Sequence, residues 1–327
     1  MADQTSLPDA DFRRRFRSDL FRWYDQSQRK LPWRGETDPY RILVSEIMLQ
    51  QTRVAVVEAR YSAFLQQFPT VERLARAREA SVLAAWSGLG YYRRARSLHA
   101  AAKEGARKGG FPKSSAALME LPGIGRYTAA ALASIAFGEP VAVVDGNVKR
   151  VLDRVIGRPL SEPDYWESAQ ALLDRKRPGD FNQAMMELGA VVCLPGQPLC
   201  PKCPVAELCA TRGPGEKRSE KPRNKAALNY LLFEKDGEVF LQQRPAENSL
   251  MPGMWELPPA ASSHAVNGKK PLLKLKHSIT VTDFVVKVFA GEKKTPRQGR
   301  WVALKSVNRL PLTGLTRKIL AGFARER

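Results

Sequence analysis

The period of the hydrophobic positions changes along the chain, and the change separates a helical region from a region of mixed structure. Apolar residues recur at helical spacing through residues 11–209, with regular repeats over 71–86 and 127–137. Glycine and proline interrupt these repeats at 88–90 and 121–123, where turns are expected. The pattern predicts a mostly α-helical N-terminal region.

A second pattern follows segment 211–225, which is rich in glycine, proline and charge and has the composition of a linker. Beyond this segment, strands are predicted at 228–233, 239–243, 281–290 and 301–304, a turn at 235–237 and a helix at 311–323. We therefore predict a helical region over 1–210, the linker over 211–225, and a separate α+β domain over 226–327.

The charge of the chain indicates its class of partner. Its 53 lysines and arginines exceed its 33 acidic residues by 20, and the pI is about 10.1. Such a surplus predicts a polyanionic partner, nucleic acid before an anionic membrane surface. No run of about 18 apolar residues is present, mean hydropathy is −0.35, and no signal peptide is recognised. We expect no membrane association and a cytoplasmic protein, at the nucleoid if the source is bacterial.

All the cysteines of the chain lie in one compact run with the spacing C-x6-C-x2-C-x5-C, at Cys193, Cys200, Cys203 and Cys209. Four clustered thiolates are a typical ligand set for a metal ion or an iron–sulfur cluster. Zinc and a [4Fe–4S] cluster both remain open. The asymmetric run favours the cluster, because structural zinc sites usually pair two short C-x2–4-C motifs and only Cys200 and Cys203 form one.

A possible phosphate site lies in the sequence LPGIG (121–125), which joins two helical stretches. Glycines in such a turn, here Gly123 and Gly125, let the backbone approach a ligand closely. The N–H groups that begin the second helix then point at the ligand. The pattern is that of a helix-hairpin-helix motif, and the alternative is an ordinary tight turn.

Glu46 is the first candidate acid. It lies in a helix that should begin at Asp38 and Pro39 and that is apolar nearly all round. A carboxyl in that position is desolvated, which favours its protonated form and suits a general acid. The alternative is a buried ion pair with Arg41 or Arg53.

The second candidate acid is Asp145, in the sequence VVDGNV (143–148). Its position before a helix is also that of an ordinary N-cap. Cleavage of an N-glycosidic bond needs two carboxyl groups in different environments, one to protonate the leaving base and one to stabilise a cationic sugar, by analogy with glycoside hydrolysis. Glu46 and Asp145 together would meet that need.

These stretches together resemble the MutY family of adenine DNA glycosylases, in the helix-hairpin-helix DNA glycosylase superfamily. The matching stretches are LPWR (31–34), YRILVSEIMLQQTRV (40–54), GLGYYRRARSLH (88–99), LPGIGRYTA (121–129), VDGNVKRV (144–151) and the cysteine run with its preceding ELGAVV (187–209). The resemblance covers essentially the whole chain. It implies a six-helix hairpin lobe at about 30–140, an iron–sulfur lobe at about 1–29 and 141–210, and a Nudix-like lesion-recognition domain at 226–327.

The resemblance implies roles for single residues. Glu46 would protonate the departing adenine at N7, and Asp145 would stabilise the cationic or covalent sugar intermediate. Tyr127 and Asn147 would support these two carboxyls, and the four cysteines would hold a [4Fe–4S] cluster. Further contacts to the substrate or the DNA are implied for Arg34 in the adenine pocket, for the duplex wedge Gln51, Leu89 and Tyr91, and for Thr52, Gly123, Gly125, Glu187 and Thr280.

One substitution separates two members of the superfamily. Endonuclease III forms a Schiff base through a lysine at the position of Tyr127, and a tyrosine cannot form that imine. The resemblance therefore implies a monomeric, monofunctional enzyme that flips adenine out of duplex DNA when it stands opposite 8-oxoguanine or guanine. The alternatives are an endonuclease III-like glycosylase for oxidised pyrimidines and a lesion-binding protein without catalysis.

The C-terminal domain departs from its relatives in two respects. Residues 253–258 (GMWELP) resemble a Nudix domain, but the acidic R-E-x-x-E-E metal box is missing, so Nudix hydrolysis is not expected. In the family this domain recognises 8-oxoguanine, often through a Phe-Ser-His loop. The matching residues here are Ile279, Thr280 and Val281, in which Thr280 keeps a hydroxyl in the place of the serine.

Overall fold

The computed structural model of the chain describes residues 9–214, 222–248, 250–260, 266, 268–279, 281–291 and 295–324. It divides into two compact units. Unit 1 comprises Met1–Arg76 and Ser97–Ser219, and unit 2 comprises Ala77–Arg96 and Glu220–Arg327. The grouping of Ala77–Arg96 with the C-terminal sequence is not predicted, because its helical pattern does not differ from that of its neighbours.

The prediction of a mostly helical N-terminal region is confirmed. The helices there are α1 Ala10–Ser27, α2 Pro39–Leu49, α3 Val54–Gln67, α4 Val71–Ala75, α5 Glu79–Ala85, α6 Arg93–Arg107, α7 Ser115–Leu118, α8 Arg126–Phe137, α9 Gly146–Ile156, α10 Glu162–Leu172 and α11 Pro178–Val191. The helical pattern over 71–86 forms two short helices, α4 and α5, because the backbone of Arg78 is extended between them.

Helix α2 begins as the sequence predicts. The side chain of Asp38 accepts a hydrogen bond from the backbone N–H of Tyr40, and Pro39 occupies the first helical turn. Every residue from Ile42 to Met48 is buried, and α2 packs against α3 and α8. An acidic residue in the middle of α2 is therefore surrounded by protein rather than by water.

Helix α11 organises the other half of unit 1. It packs against α1, α8 and α9, and its buried face includes Phe181, Met185 and Leu188. These side chains join Phe16 of α1 and Leu152 of α9 in one hydrophobic core. The first residues of α9, where Asp145 is the N-cap, are thereby held against a buried helix.

Unit 2 contains two small sheets and a C-terminal helix, so the prediction of an α+β region is confirmed. Its elements are β1 Asn224–Leu232, β2 Glu234–Lys235, β3 Glu238–Gln243, β4 Trp255–Glu256, β5 Leu273–Ile279, β6 Thr282–Ala290, β7 Arg300–Ala303 and α12 Gly314–Phe323. One sheet has the order β1-β6-β5, with β1 parallel and β5 antiparallel to β6. In the other, β3 pairs with β2, β4 and β7.

Two features of unit 2 differ from the sequence-based description. Strand β5 is not among the predicted strands, although its apolar residues alternate with the exposed Lys274, Lys276 and Ser278 as in a strand with one face toward a core. Strand β1 begins at Asn224, before the end of the predicted linker, because Asn224 already pairs with Thr282 of β6. Tertiary pairing extends a strand that the local sequence does not favour.

Candidate active site

A buried tyrosine–glutamic acid pair joins α2 to α8. The hydroxyl of Tyr127 donates a hydrogen bond to Oε2 of Glu46 over 2.8 Å, and Glu46 is only 5% exposed. Burial raises the pKa of Glu46, while the hydrogen bond from Tyr127 and the charge of Arg34 oppose that rise. Burial also raises the pKa of Tyr127 well above its ordinary value, so its hydroxyl stays a neutral donor.

Arg41 does not pair with Glu46. Its guanidinium lies beside the carboxylates of Glu36 and Asp38 at the start of α2. The alternative explanation of Glu46 as one half of an ion pair with Arg41 is therefore wrong. Arg53 is exposed at the N-cap of α3 and makes no described ion pair with Glu46. A buried carboxyl whose pKa is raised by desolvation has the environment that a general acid needs.

Asp145 occupies the N-cap position that the sequence offers as one explanation for it. As the N-cap of α9, its Oδ1 accepts a hydrogen bond from the backbone N–H of Val148 over 2.7 Å. Its Oδ2 accepts another from Nδ2 of Asn147 over 2.8 Å. Burial raises the pKa of Asp145, and these donors oppose the rise because they favour the ionised form. The charge of Asp145 raises the pKa of both Glu46 and Tyr127, so the three side chains share one electrostatic environment.

The orientation of Asn147 is set by residues that the sequence did not single out. Its Oδ1 accepts a hydrogen bond from Arg150, whose guanidinium also donates to the carbonyl oxygens of Gly189 and Cys193. Gly189 is necessary for this packing, because a Cβ at that position would lie 2.6 Å from the Cβ of Asn147. The Asn147 amide is therefore fixed with its NH2 group toward Asp145. Close helix packing of this kind requires the tertiary structure and has no local signal.

A second buried carboxylate, Glu187, holds two arginines. Its two oxygens accept hydrogen bonds from Arg29 over 2.6 and 2.9 Å, and Oε2 also accepts one from Arg34 over 2.7 Å. Burial alone would raise the pKa of Glu187, but the hydrogen bonds and charges of these two arginines together lower it. Gln183 accepts a further hydrogen bond from Arg34. Gln183, which accepts from Arg34, and Arg29, which shares Glu187 with it, were not identified from the sequence.

The residues after α2 form a strained turn. Gln51 is exposed and has a φ of +53°, a backbone region that side-chain-bearing residues seldom adopt. The N–H of the following Thr52 donates to the carbonyl of Leu49. Gln50 instead reaches back into unit 1 and donates to Thr128 of α8. The structure thus presents Gln51 to the surface while its neighbour secures the turn, and strain of this kind clusters at functional sites.

The predicted helix-hairpin-helix motif is present as α7, the turn at 121–125 and α8. Gly123 has a φ of +74°, and a Cβ there would lie 2.4 Å from the side chain of Ser97. Gly125 is the N-cap of α8 and supplies no side-chain cap. The first N–H groups of α8 are thereby left without a side-chain partner from the N-cap, which suits an anion ligand.

Three of the predicted contact residues belong to unit 2 or its undescribed part. Leu89 is buried, whereas Tyr91 is 49% exposed. Thr280 lies outside the described residues. Its neighbours Ile279 and Val281 lie at the end of β5 and just before β6.

The four cysteines line a single pocket together with Arg154. Arg154 donates to Sγ of Cys193 over 3.2 Å, and its carbonyl accepts from Sγ of Cys209 over 3.2 Å. Burial raises the pKa of Cys193 and raises that of Cys203 to about 11. All four cysteines are free thiols.

The chemistry of the donors decides what this pocket could hold. Among the described residues, no three histidine, cysteine, aspartate or glutamate side chains converge as ligands of a single metal ion. Four soft thiol donors around one pocket, with a buried guanidinium to offset thiolate charge, fit an iron–sulfur cluster by their chemistry.

No described helix combines the length and the apolar character that crossing a membrane requires.

The comparison with known families finds the HhH-GPD superfamily of base excision DNA repair proteins over residues 44–177. This range contains Glu46, Tyr127, Asp145 and the hairpin. It ends before the cysteine run.

Proteins named adenine DNA glycosylase are similar to this chain. The human one is 50% identical over 218 residues, which are 60% of this chain and 39% of the human protein. The chain thus matches well under half the length of its human relative. The one from Mycobacterium tuberculosis is 41% identical over 214 residues, which are 63% of this chain and 70% of that protein.

Solved structures show the same helical fold. A thermostable thymine-DNA glycosylase is 31% identical, with a TM-score of 0.58 over 62% of this chain and 97% of that one. A trapped endonuclease III–DNA covalent intermediate is 22% identical, with a TM-score of 0.53 over 61% and 96%. The chain belongs to the HhH-GPD superfamily of base excision DNA repair proteins and, within it, to the family of the adenine DNA glycosylases.

Proposed function

We propose that this chain is a monofunctional DNA glycosylase that hydrolyses the N-glycosidic bond of adenine opposite 8-oxoguanine or guanine. The observation that carries the proposal is the buried pair of Tyr127 and Glu46, 2.8 Å apart, in the electrostatic environment of Asp145. The curated relatives support the choice of adenine, since proteins of that name are 41–50% identical to this chain.

Glu46 is the general acid. Burial raises its pKa, so the carboxyl keeps a proton to higher pH than an exposed glutamic acid would. That proton goes to N7 of the adenine, which makes the base a neutral leaving group. The Tyr127 hydroxyl holds one carboxyl oxygen, leaving the other for the base. Because the site is buried, the adenine must leave the helix stack to reach it.

Asp145 stabilises the positive sugar. Two N–H groups, from Val148 and Asn147, favour its ionised form, and Arg150 fixes Asn147 in turn. A carboxylate beside C1′ stabilises an oxocarbenium-like sugar or bonds to it, and water then completes hydrolysis. The two carboxyls thus differ in their donors: Asp145 has two N–H groups, while Glu46 has one hydroxyl.

Tyr127 also determines whether the enzyme only removes the base or also cuts the strand as a lyase. A lyase reaction through a Schiff base needs an amine at this position of α8, and a phenol cannot form an imine. The product expected from this chain is an abasic site in an intact strand. The thymine-DNA glycosylase that is similar in structure provides a second substrate to test, a G·T mispair.

The rest of unit 1 binds the DNA. The hairpin turn at 121–125 would hold a backbone phosphate at the start of α8. Cys193, Cys200, Cys203 and Cys209 would hold a [4Fe–4S] cluster, which stabilises the loop between them when bound. Lys202, on that loop, would then contact phosphate. The net charge of +20 supports a strong electrostatic contribution to binding.

The test uses purified protein and a duplex with one adenine opposite 8-oxoguanine, analysed before and after hot alkali. Strand breaks that appear only after alkali establish a monofunctional adenine glycosylase. Duplexes with A·T, with G·T and with an oxidised pyrimidine are the controls. No abasic site opposite 8-oxoguanine, or strand breaks without alkali, would overturn the proposal.

A further inference from the structure

Unit 2 contains a segment that the sequence pattern assigns to the helical region. Ala77–Arg96 groups with the C-terminal sequence rather than with its chain neighbours. The segment includes α5 and the loop that carries Leu89 and Tyr91, and α5 packs against the 3₁₀ turn Leu304–Arg309. Two of the three residues predicted to wedge into the duplex, Leu89 and Tyr91, are thus part of unit 2, whereas Gln51 belongs to unit 1.

A buried hydrogen bond fastens this segment. The hydroxyl of Tyr92 donates to the carbonyl oxygen of Leu312 over 2.9 Å, and both residues are buried. The hydroxyl of Ser87 lies 3.4 Å from the same phenol oxygen. Removing the phenol hydroxyl would leave the buried carbonyl of Leu312 without this hydrogen-bond donor. The loss would cost free energy of folding, because a buried acceptor has no water to replace the donor.

An arginine makes a second connection. The guanidinium of Arg96 donates to the carbonyl oxygen of Pro252 over 2.6 Å and to Glu79 of α5 over 2.9 Å. One side chain therefore bridges the start of α5 and the turn that follows β3. Tyr92 and Arg96 reach the C-terminal sequence at two separate places, Leu312 and Pro252.

The loop that precedes Tyr92 is held by hydrogen bonds and ring contacts within the same segment. The indole N–H of Trp86 donates to the carbonyl of Gly90, and Arg94 donates to the carbonyls of Leu89 and Gly90. The Arg94 guanidinium also lies over the rings of Trp86 and Tyr91, at 5.6 and 5.5 Å. Tyr91 itself has a φ of +46° and is half-exposed. A scaffold thus holds one exposed aromatic ring in a strained backbone conformation, which is unusual unless the ring has a task.

We infer that the C-terminal sequence of unit 2 sets the position of the loop that carries Tyr91. Tyr92 and Arg96 are the positioning residues through which that sequence acts on the loop. A contact of the C-terminal unit with the base opposite adenine would then be coupled to insertion of the Tyr91 ring into the duplex. The inference rests on the proposed function for its substrate, while its structural part concerns the free protein. Tyr92 acts through the loop and does not touch the reacting atoms.

The experiment compares the full-length wild type, Tyr92→Phe and Tyr61→Phe. Tyr61 is the matched control, since it is a buried tyrosine whose hydroxyl donates to the carbonyl of Arg41 within unit 1. Two quantities are measured: amide hydrogen exchange of 86–92 without DNA, and the dissociation constant for 8-oxoguanine opposite a non-cleavable adenine analogue. Arg96→Gln is the second variant, should Tyr92→Phe fold poorly.

The inference predicts faster exchange at 86–92 in Tyr92→Phe and about tenfold weaker binding, the effect of one lost buried hydrogen bond. Excision from the saturated complex should change less than twofold, and Tyr61→Phe should show neither change at 86–92 nor weaker binding. Unchanged exchange at 86–92 in both Tyr92→Phe and Arg96→Gln overturns the inference. Hydrogen exchange is measured without substrate. A wild type that releases no adenine would therefore contradict the proposed function, while the exchange measurement would still test the inference.

Discussion

The hydroxyl of Tyr127 in α8 donates a hydrogen bond to the carboxyl of Glu46 in α2, over 2.8 Å and across 81 positions of sequence. Glu46 is buried in α2, and Tyr127 lies half-buried beside the buried residues of α8. The relationship does two things. It orients one oxygen of Glu46, and it moderates a pKa that burial alone would raise further.

Glu46→Gln should lower the rate of adenine release by at least about 100-fold, because it removes a transferable proton while keeping the size of the side chain. Binding to the mispair should stay within a few-fold of wild type. Single-turnover excision and a separate binding titration measure the two effects. Glu167→Gln, on the exposed face of α10, is the control and should change neither. Undiminished release by Glu46→Gln would remove the role assigned to this residue.

Tyr127→Phe should shift the pH dependence of excision. The Tyr127 hydrogen bond lowers the pKa of Glu46, so its loss raises that pKa further. Since the reaction needs protonated Glu46, the rate falls as pH rises through this pKa, and in the variant the fall should occur at higher pH. The profile of single-turnover rate against pH measures the shift. A descending limb at unchanged or lower pH would contradict the assignment.

The pH dependence of stability should also report Glu46. Its folded pKa lies above its ordinary value of 4.5, so the folded state holds the proton more tightly than the unfolded state. The resulting stabilisation is complete below pH 4.5 and is lost as pH rises through the raised pKa. The free energy of unfolding of wild type minus that of Glu46→Gln should therefore fall as pH rises through the raised pKa. Denaturant titrations at several pH values measure it, and a constant difference would show that Glu46 titrates normally.

Asn182→Asp should destabilise the segment that presents Asp145. The buried amide donates to Ser134 and to the carbonyl of Val141, and accepts from the N–H of Val143. An aspartate keeps the acceptor and loses both donations, which should cost about 2–4 kcal/mol in the free energy of unfolding.

The same segment offers a matched control for that change. Gln170 donates to the carbonyl of Pro140 and accepts from the N–H of Ala142, but it is exposed. Gln170→Glu should cost less than about 1 kcal/mol, because water replaces the lost donor. Equal losses in the two variants, measured by denaturant unfolding, would show that burial of Asn182 is not what matters.

Metal analysis decides between the two cysteine chemistries. The purified chain should contain iron and acid-labile sulfide in equal amounts, about four of each, and no stoichiometric zinc. Cys200→Ser should lower the iron content and weaken binding to undamaged duplex, with a smaller dependence on salt. Zinc in place of iron would overturn the assignment of the four cysteines to an iron–sulfur cluster. Unchanged DNA affinity of Cys200→Ser would show that the cluster contributes to folding and not to DNA binding.

Much of the site can be predicted from local sequence. The cap at Asp38, the hairpin glycines and the N-cap at Asp145 each depend on neighbours within a few residues, and each lies where it was predicted. The same holds for the burial of Glu46, because a helix that is apolar on all sides leaves its middle no route to water.

The partners of these residues were decided only by the tertiary structure. The contacts of Tyr127 with Glu46, of Gln183 with Arg34 and of Gly189 with Asn147 each join residues that lie far apart in the chain. The assignment of Ala77–Arg96 to the C-terminal unit is of the same kind. Period and capping determine where a helix begins and which face is apolar, whereas packing of whole helices determines which polar groups meet inside the core.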